Sequence, residues 1–251
     1  MSLQACAETV KQGDPDRFLA TMASPISARK VLFPIYAFNV EVARAPWVTQ
    51  ETMIAEMRLQ WWRDALDEIR LGGMVRRHEV ITPMSGLIDT EGAEILDKLV
   101  QARRWDVYKD PFTDVAHFNA YLDATAGGLL WASSRALGAR DCEEQARNIG
   151  WASGLTNWFL AVPHLKAMGR VPLVDDRPEA IAELARNGLA KLKQSKAVCG
   201  VMRPAMLSAW RAQALLKMVF RNPGIVVNGE LAQSEFVRRG SLLWQRFALV
   251  R

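Results

Sequence analysis

The chain has 251 residues, of which half are hydrophobic, and it carries a formal net charge of +5. This length and composition predict a single domain spanning residues 1–251 with a sizeable core, and no repeat or low-complexity tract indicates a solenoid or fibrous chain. The cysteines Cys6, Cys142 and Cys199 are odd in number and far apart, which argues against a disulfide framework or a cysteine zinc site.

Helical patterns follow one another along the chain. Near its start, Asp14 followed by Pro15 predicts a helix whose first turn is capped by the aspartate. Residues 49–70 also have helical spacing. The predicted buried stripe of this second helix comprises Ile54, Met57, Trp61, Ala65 and Ile69.

Arg58 falls within the apolar stripe of the same helix. An unpaired guanidinium is very costly to bury, so a buried Arg58 needs a partner. Glu41, in the preceding helical segment, is the candidate, and we predict a structural ion pair between Glu41 and Arg58. The alternative is that Arg58 extends along the helix to reach water.

Two long apolar stretches, residues 113–137 and 141–168, predict helices at the centre of a bundle. Within the first stretch, Gly127 and Gly128 indicate either close helix packing or a helix break beside a cavity. No run of alternating residues is long enough to form a sheet. The fold class is therefore predicted to be all-α.

The last part of the chain is basic: residues 203–251 hold eight basic residues and two acidic ones. Its aromatic residues are Trp210, Phe220, Phe236, Trp244 and Phe247. Either this basic C-terminal helical part is an ordinary solvated helix pair with its aromatics in the core, or it meets an anionic membrane surface, a lipid or an acidic protein. No recognised nucleic-acid-binding motif accompanies the charge, so nucleic acid is not an expected partner.

The N-terminal residues contain neither the apolar segment of a secretory signal nor an arginine-rich transit peptide. No apolar run reaches the length of a transmembrane helix. We therefore expect a cytoplasmic location, and the basic C-terminal part leaves open a peripheral position on the inner face of the membrane.

Five short motifs, in this order and spacing, resemble the squalene/phytoene synthase family. They are residues 36–44, residues 58–67, Tyr121 with Gly127, residues 155–157 and residues 169–173. Members of that family join two prenyl diphosphates head to head. The resemblance implies an all-α, single-domain helical bundle of the isoprenoid (squalene/phytoene) synthase type.

Catalysis in that family uses magnesium ions held by two aspartate-rich motifs on facing helices, because the diphosphate leaving group must be neutralised. In this chain the first motif has Ala43, Arg44 and Trp47 at the aspartate positions, and the second has Ala161 and Leu165. The resemblance thus implies a former active-site cavity without a metal site. Its expected lining residues are Tyr36, Val40, Ala43, Tyr121, Gly127, Asn157, Ala161 and Leu165.

Residues 37–41 and 57–62 resemble a non-catalytic branch of the family that acts in the assembly of respiratory complex I and also lacks the aspartates. This resemblance implies a non-catalytic protein without a cofactor, whose partners are complex I subunits or assembly proteins. Two alternatives stay open. One is an active head-to-head prenyltransferase that uses prenyl diphosphates and Mg²⁺ through unrecognised ligands, and the other is a lipid carrier.

Overall fold

The computed structural model describes residues 3–49, 51–195 and 199–250, without the side chains of residues 248–250. Throughout these residues the regular structure is helical and no strand occurs. The all-α prediction is therefore confirmed.

The described helices vary from single turns to a central helix of 25 residues. In chain order they are α1 (Leu3–Gly13), α2 (Pro15–Ala23), α3 (Ile26–Arg44), α4 (Thr52–Arg70), α5 (Ile81–Met84), α6 (Thr90–Arg103), α7 (Val115–Leu122), α8 (Gly128–Ala136), α9 (Glu143–Ala167), α10 (Pro178–Gln194), α11 (Arg203–Met206), α12 (Ala212–Arg221), α13 (Gly224–Val227) and α14 (Glu235–Val250). A π-helical turn, Asp123–Gly127, joins α7 to α8, and a 3₁₀ turn, Arg104–Asp106, follows α6.

The start of α2 follows from its local sequence. The Asp14 side chain accepts a hydrogen bond from the backbone N–H of Arg17 at 2.9 Å, and Pro15 occupies the first helical position. The aspartate satisfies one of the free N–H groups of the helix start, and the proline has no N–H that needs a partner, as predicted. The helix predicted from residue 49 begins later, at Thr52, because the Thr49 hydroxyl bonds the N–H of Glu51 in a turn before it.

Helix α4 buries a different stripe from the predicted one. Its buried side includes Leu59, Trp62 and Leu66, whereas Met57 is 66% exposed and Ile54 is 38% exposed. The predicted stripe is right at Ala65 and Ile69 and wrong at Met57 and Ile54. The apolar residues of α4 cover enough of its circumference that either of two helix faces could be buried. Packing against α6 determines which face it is.

Helix α9 runs through the middle of the molecule. It contributes Ala146 and Ile149 to one buried apolar cluster and Leu155 and Phe159 to a second. Helices α7 and α8 and the π-helical turn between them run beside it without interruption from residue 115 to residue 136. The prediction of two long central helices is therefore confirmed.

The C-terminal part lies against the first helices of the chain. Leu242 of α14 packs with Ala20 of α2 and with Trp210 and Leu207 in a third, smaller apolar cluster. Among the described residues, no helix combines the length and hydropathy that crossing a membrane would require.

Candidate functional site

A cavity of about 320 Å³ opens between α3, the end of α6, the segment from α7 to α8, and α9. The structure brings six of the eight predicted lining residues to its wall. They are Val40, Ala43, Tyr121, Asn157, Ala161 and Leu165. Helices α3 and α9 thus face each other across the cavity, as the resemblance implies.

The other two predicted lining residues lie behind the wall. Tyr36 is almost fully buried and borders a small neighbouring void, where the Arg17 guanidinium lies 5.1 Å from its ring centre. Gly127 ends the π-helical turn and faces α9, where a Cβ would stand 2.9 Å from Asp123 Oδ1 and 3.4 Å from the backbone oxygen of Arg147. Both alternatives for this glycine are met in part, because it is closely packed and it ends a π-helical turn whose Thr125 and Ala126 line the cavity.

The five positions of the aspartate-rich motifs all lie on this cavity. Ala43, Arg44 and Trp47 line it from the first motif, and Ala161 and Leu165 line it from the second. None of these side chains offers a carboxylate oxygen to a divalent cation. Among residues 3–49, 51–195 and 199–250, no three His, Cys, Asp or Glu side chains come together in a group that could hold a metal ion.

The carboxylates that do line the cavity, Asp14 and Asp106, are each held by an arginine. The Asp14 carboxylate forms an ion pair with Arg17 at 2.5 Å. The Asp106 carboxylate forms an ion pair with Arg103 at 2.9 Å. Since each carboxylate already has a cationic partner, the polar side of the cavity is a set of internal ion pairs.

Asp106 is the centre of a buried hydrogen-bond network. Its carboxylate accepts a hydrogen bond from the Tyr121 hydroxyl at 2.9 Å, and Arg103 donates to the same hydroxyl oxygen at 2.7 Å. Burial raises the pKa of the Tyr121 phenol well above its ordinary value, against the opposing effect of Arg103. Burial alone would lower the pKa of Arg103, but the neighbouring Tyr121 and Asp106 raise it. The network therefore keeps a neutral phenol beside a charged pair.

The motif at residues 169–173 supports the network from outside. Arg170 is buried, and it donates to the backbone oxygens of Asp106 at 2.5 Å and Tyr108 at 2.9 Å. Its guanidinium also lies 4.6 Å from the ring centre of Trp47. In the same motif the Pro172 carbonyl accepts a hydrogen bond from the Trp158 indole at 2.7 Å. This motif therefore fixes two aromatic side chains of the cavity wall.

Sequence reasoning missed Arg17, Arg103 and Asp106. Arg103 and Asp106 have the spacing of a helical ion pair, which is common on solvated surfaces and so gives no sign of burial. Tyr121, which completes the network, comes 15 residues after Asp106. Only the fold brings it there.

The predicted ion pair between Glu41 and Arg58 is not formed. Glu41 pairs instead with Arg44, one helical turn away, at 3.6 Å. Arg58 is exposed, so it needs no buried partner. Both side chains border a second cavity, of about 340 Å³, beside His78.

The sequence and the fold of this chain were compared with those of known proteins, and a family model matches most of the sequence. Residues 10–220 match the family model described as squalene/phytoene synthase. The chain belongs to the squalene/phytoene synthase family.

Two solved structures share its fold. A dehydrosqualene synthase in complex with ligand superimposes with a TM-score of 0.80 at 18% identity, covering 99% of this chain and 96% of that chain. The squalene synthase HpnC from Alicyclobacillus acidocaldarius gives a TM-score of 0.68 at 14% identity, covering 87% and 93%. The predicted isoprenoid synthase type of helical bundle is therefore confirmed.

The curated relatives that match this chain are named as complex I assembly factors. Complex I assembly factor 6 (NADH dehydrogenase (ubiquinone)) of Bos taurus is 25% identical over 185 residues, covering 68% of this chain and 52% of the relative. The Drosophila melanogaster homolog is 28% identical over 166 residues, covering 63% and 50%. The chain spans about half the length of the curated relatives it matches. The predicted similarity to the complex I assembly branch is confirmed.

Proposed function

We propose that this chain is a non-catalytic member of the squalene/phytoene synthase family that acts in the assembly of respiratory complex I. The observation that carries the proposal is that the side chains at the five former aspartate positions line the cavity without a carboxylate; they are Ala43, Arg44, Trp47, Ala161 and Leu165. The names of the curated relatives, which are complex I assembly factors, supply the biological role.

The physical argument concerns the leaving group. Ionising a prenyl diphosphate separates an allylic cation from a pyrophosphate, and preorganised positive charge must stabilise that separation. In metal-dependent enzymes, hard cations held by several carboxylate oxygens supply this charge. Here Asp14 and Asp106 are each compensated by an arginine, which leaves them poor ligands for magnesium. The cavity is therefore suited to binding or structural support and not to this chemistry.

The proposed partners are complex I subunits or other assembly proteins, and we place the protein in the cytoplasm or peripherally on the inner face of the membrane. In this role the helical surface holds a partner while the closed internal network keeps the former active site rigid. The hydrogen bonds that Tyr121 and Arg103 make to one another and to Asp106 hold these three side chains in one arrangement, which suits a scaffold.

Deletion of the gene tests the proposal. We expect lower NADH:ubiquinone oxidoreductase activity in isolated membranes and less mature complex I on native gels, with unchanged succinate dehydrogenase activity as the control. A plasmid copy should restore both readouts. Normal complex I together with an altered isoprenoid profile would refute the proposal in favour of a prenyltransferase.

A further inference from the structure

Helix α14 is attached to the rest of the chain by one side only. Leu242 is buried, and the Gln245 amide donates to the backbone oxygen of Trp210 at 2.7 Å. Arg238 forms an ion pair with Asp16 of α2 at 2.7 Å. These contacts fix which side of the helix faces outward.

The outward side of α14 is apolar, and we call it the α14 apolar face. Its members and their exposed fractions are Phe236 (88%), Val237 (51%), Leu243 (56%), Trp244 (75%) and Phe247 (69%). Phe236, Leu243 and Phe247 recur at helical spacing, so they form one continuous stripe. At Gly240, in the middle of this stripe, a Cβ would meet no described atom within 4 Å.

This arrangement is the reverse of an ordinary surface helix, which turns its apolar stripe toward the core. Single exposed apolar residues need no explanation, but a contiguous patch of large side chains marks an interaction site. The face combines two phenylalanines with a tryptophan, the residue types that settle at the boundary between lipid headgroups and acyl chains.

Basic side chains border the same face. Arg239 and Arg246 lie seven positions apart along one edge, and both are exposed. Arg239 also forms an ion pair with Glu235, itself exposed, at 3.2 Å. On the other side, Trp244 borders a groove of about 600 Å³ that is also lined by Lys193 and Lys217, which are exposed as well. Positive charge thus flanks the aromatic stripe on two sides.

We propose that α14 docks this protein on an anionic lipid bilayer, lying in the plane of the surface with its apolar face among the acyl chains. The arginines and lysines would then reach the phosphate groups while their aliphatic stems cover apolar surface. Aromatic and aliphatic side chains bordered by cations match a bilayer boundary better than a self-associating surface, where like charges would meet across the symmetry axis. The inference does not depend on the complex I role.

Vesicle flotation of the purified full chain tests the proposal. We expect the protein to float with vesicles of phosphatidylcholine mixed with phosphatidylglycerol, and to float poorly with phosphatidylcholine alone. The triple variant Phe236→Ser/Trp244→Ser/Phe247→Ser should lose binding by at least about tenfold, because the buried apolar area drives insertion. The variant Arg239→Gln/Arg246→Gln should lose about fivefold for each arginine.

Matched controls come from other exposed positions. Met53→Ser/Met57→Ser removes exposed apolar side chains from α4, and Arg58→Gln/Arg77→Gln removes the same charge elsewhere. Both control variants should float like the wild type. Circular dichroism and thermal melts on every variant separate loss of binding from loss of folding.

Brominated phosphatidylcholine within the anionic vesicles gives a second readout, because bromine quenches only indoles that reach acyl-chain depth. We expect quenching in the wild type and its loss in Trp244→Phe, which keeps an aromatic ring and should keep flotation. Flotation that is unchanged in the triple variant would overturn the proposal. So would an absence of flotation combined with a dimer that the triple variant converts to a monomer, since the face would then cover a second copy.

Discussion

The Tyr121 hydroxyl of α7 donates to the Asp106 carboxylate at 2.9 Å, although Asp106 lies 15 positions earlier, in the 3₁₀ turn that follows α6. Asp106 is only 3% exposed, so its charge depends on this phenol and on Arg103. Tyr121, Asp106 and Arg103 thus form a hydrogen-bonded network in one wall of the cavity.

Removing Asp106 should destabilise the fold strongly. Asp106→Ala leaves Arg103 without its anion, and breaking a buried pair from one side costs about 3–5 kcal/mol. The Arg103 side chain is 21% exposed, so we expect a value near the lower end. Urea denaturation measures the change. The double variant Arg103→Met/Asp106→Leu should recover part of the loss, and a single variant with wild-type stability would contradict the network's role.

The close approach of α9 to the π-helical turn makes a second prediction. A Cβ on Gly150 would stand 2.5 Å from the backbone oxygen of Ala126 and 2.8 Å from the Cα of Gly127. Backbone atoms cannot move aside cheaply, so Gly150→Ala should cost about 1–3 kcal/mol. Gly86→Ala is the control, because no described atom lies within 4 Å of its Cβ position. Equal melting temperatures for the two variants would show that the helices are not in this contact.

His78 predicts a pH dependence of stability. Its ring lies 4.9 Å from the ring centre of Trp61 and 5.2 Å from that of Trp62, and burial lowers its pKa from the ordinary value of 6.5. Its Nδ1 accepts a hydrogen bond from the N–H of Val80 at 3.2 Å, which protonation at that nitrogen would abolish.

Because the unfolded chain binds this proton more readily than the folded protein, protonation favours unfolding. The contribution of neutral His78 is fully present above pH 6.5 and is lost as the pH falls from there through the lowered pKa of the folded state. Measured against pH, the difference in unfolding free energy between wild type and His78→Asn should change in that window. A difference that stays constant with pH would contradict the lowered pKa.

Asp16 should control the attachment of α14. Its carboxylate forms ion pairs with Arg211 and Arg238, whose side chains are only 17% and 19% exposed. Asp16→Ala leaves Arg211 without its carboxylate partner and leaves Arg238 paired only with Glu235 of its own helix, so α14 should detach more often. We expect faster trypsin cleavage after Arg238 and Arg239, measured by mass spectrometry. Glu8→Ala, at an exposed ion pair of α1, is the control that should leave the cleavage rate unchanged.

Much of this architecture follows from sequence features that act locally. The cap at Asp14 and the long apolar run of α9 depend on neighbouring residues, and both are confirmed. The phase of α4 depended on the distant α6, and here the predicted stripe failed at Met57.

In the candidate site, too, some features follow from the local sequence and others depend on residues that are distant in the chain. Ala43 and Ala161 reach the cavity because motif spacing fixes which helix face they occupy. The ion pairs of Asp14 and Asp106 depend on side-chain choices that helical periodicity does not encode. Each of two alternatives left open is met in part. Gly127 is closely packed and also ends a π-helical turn beside the cavity, and Trp244 lies outside the core whereas Trp210 lies within it.

Pyrophosphate release is the most direct measurement of whether this cavity has lost the family's chemistry. The purified chain is incubated with farnesyl diphosphate or geranylgeranyl diphosphate and Mg²⁺, beside a dehydrosqualene synthase as the active control. We expect no release above the protein-free control. Magnesium-dependent release that follows this chain through purification would contradict it.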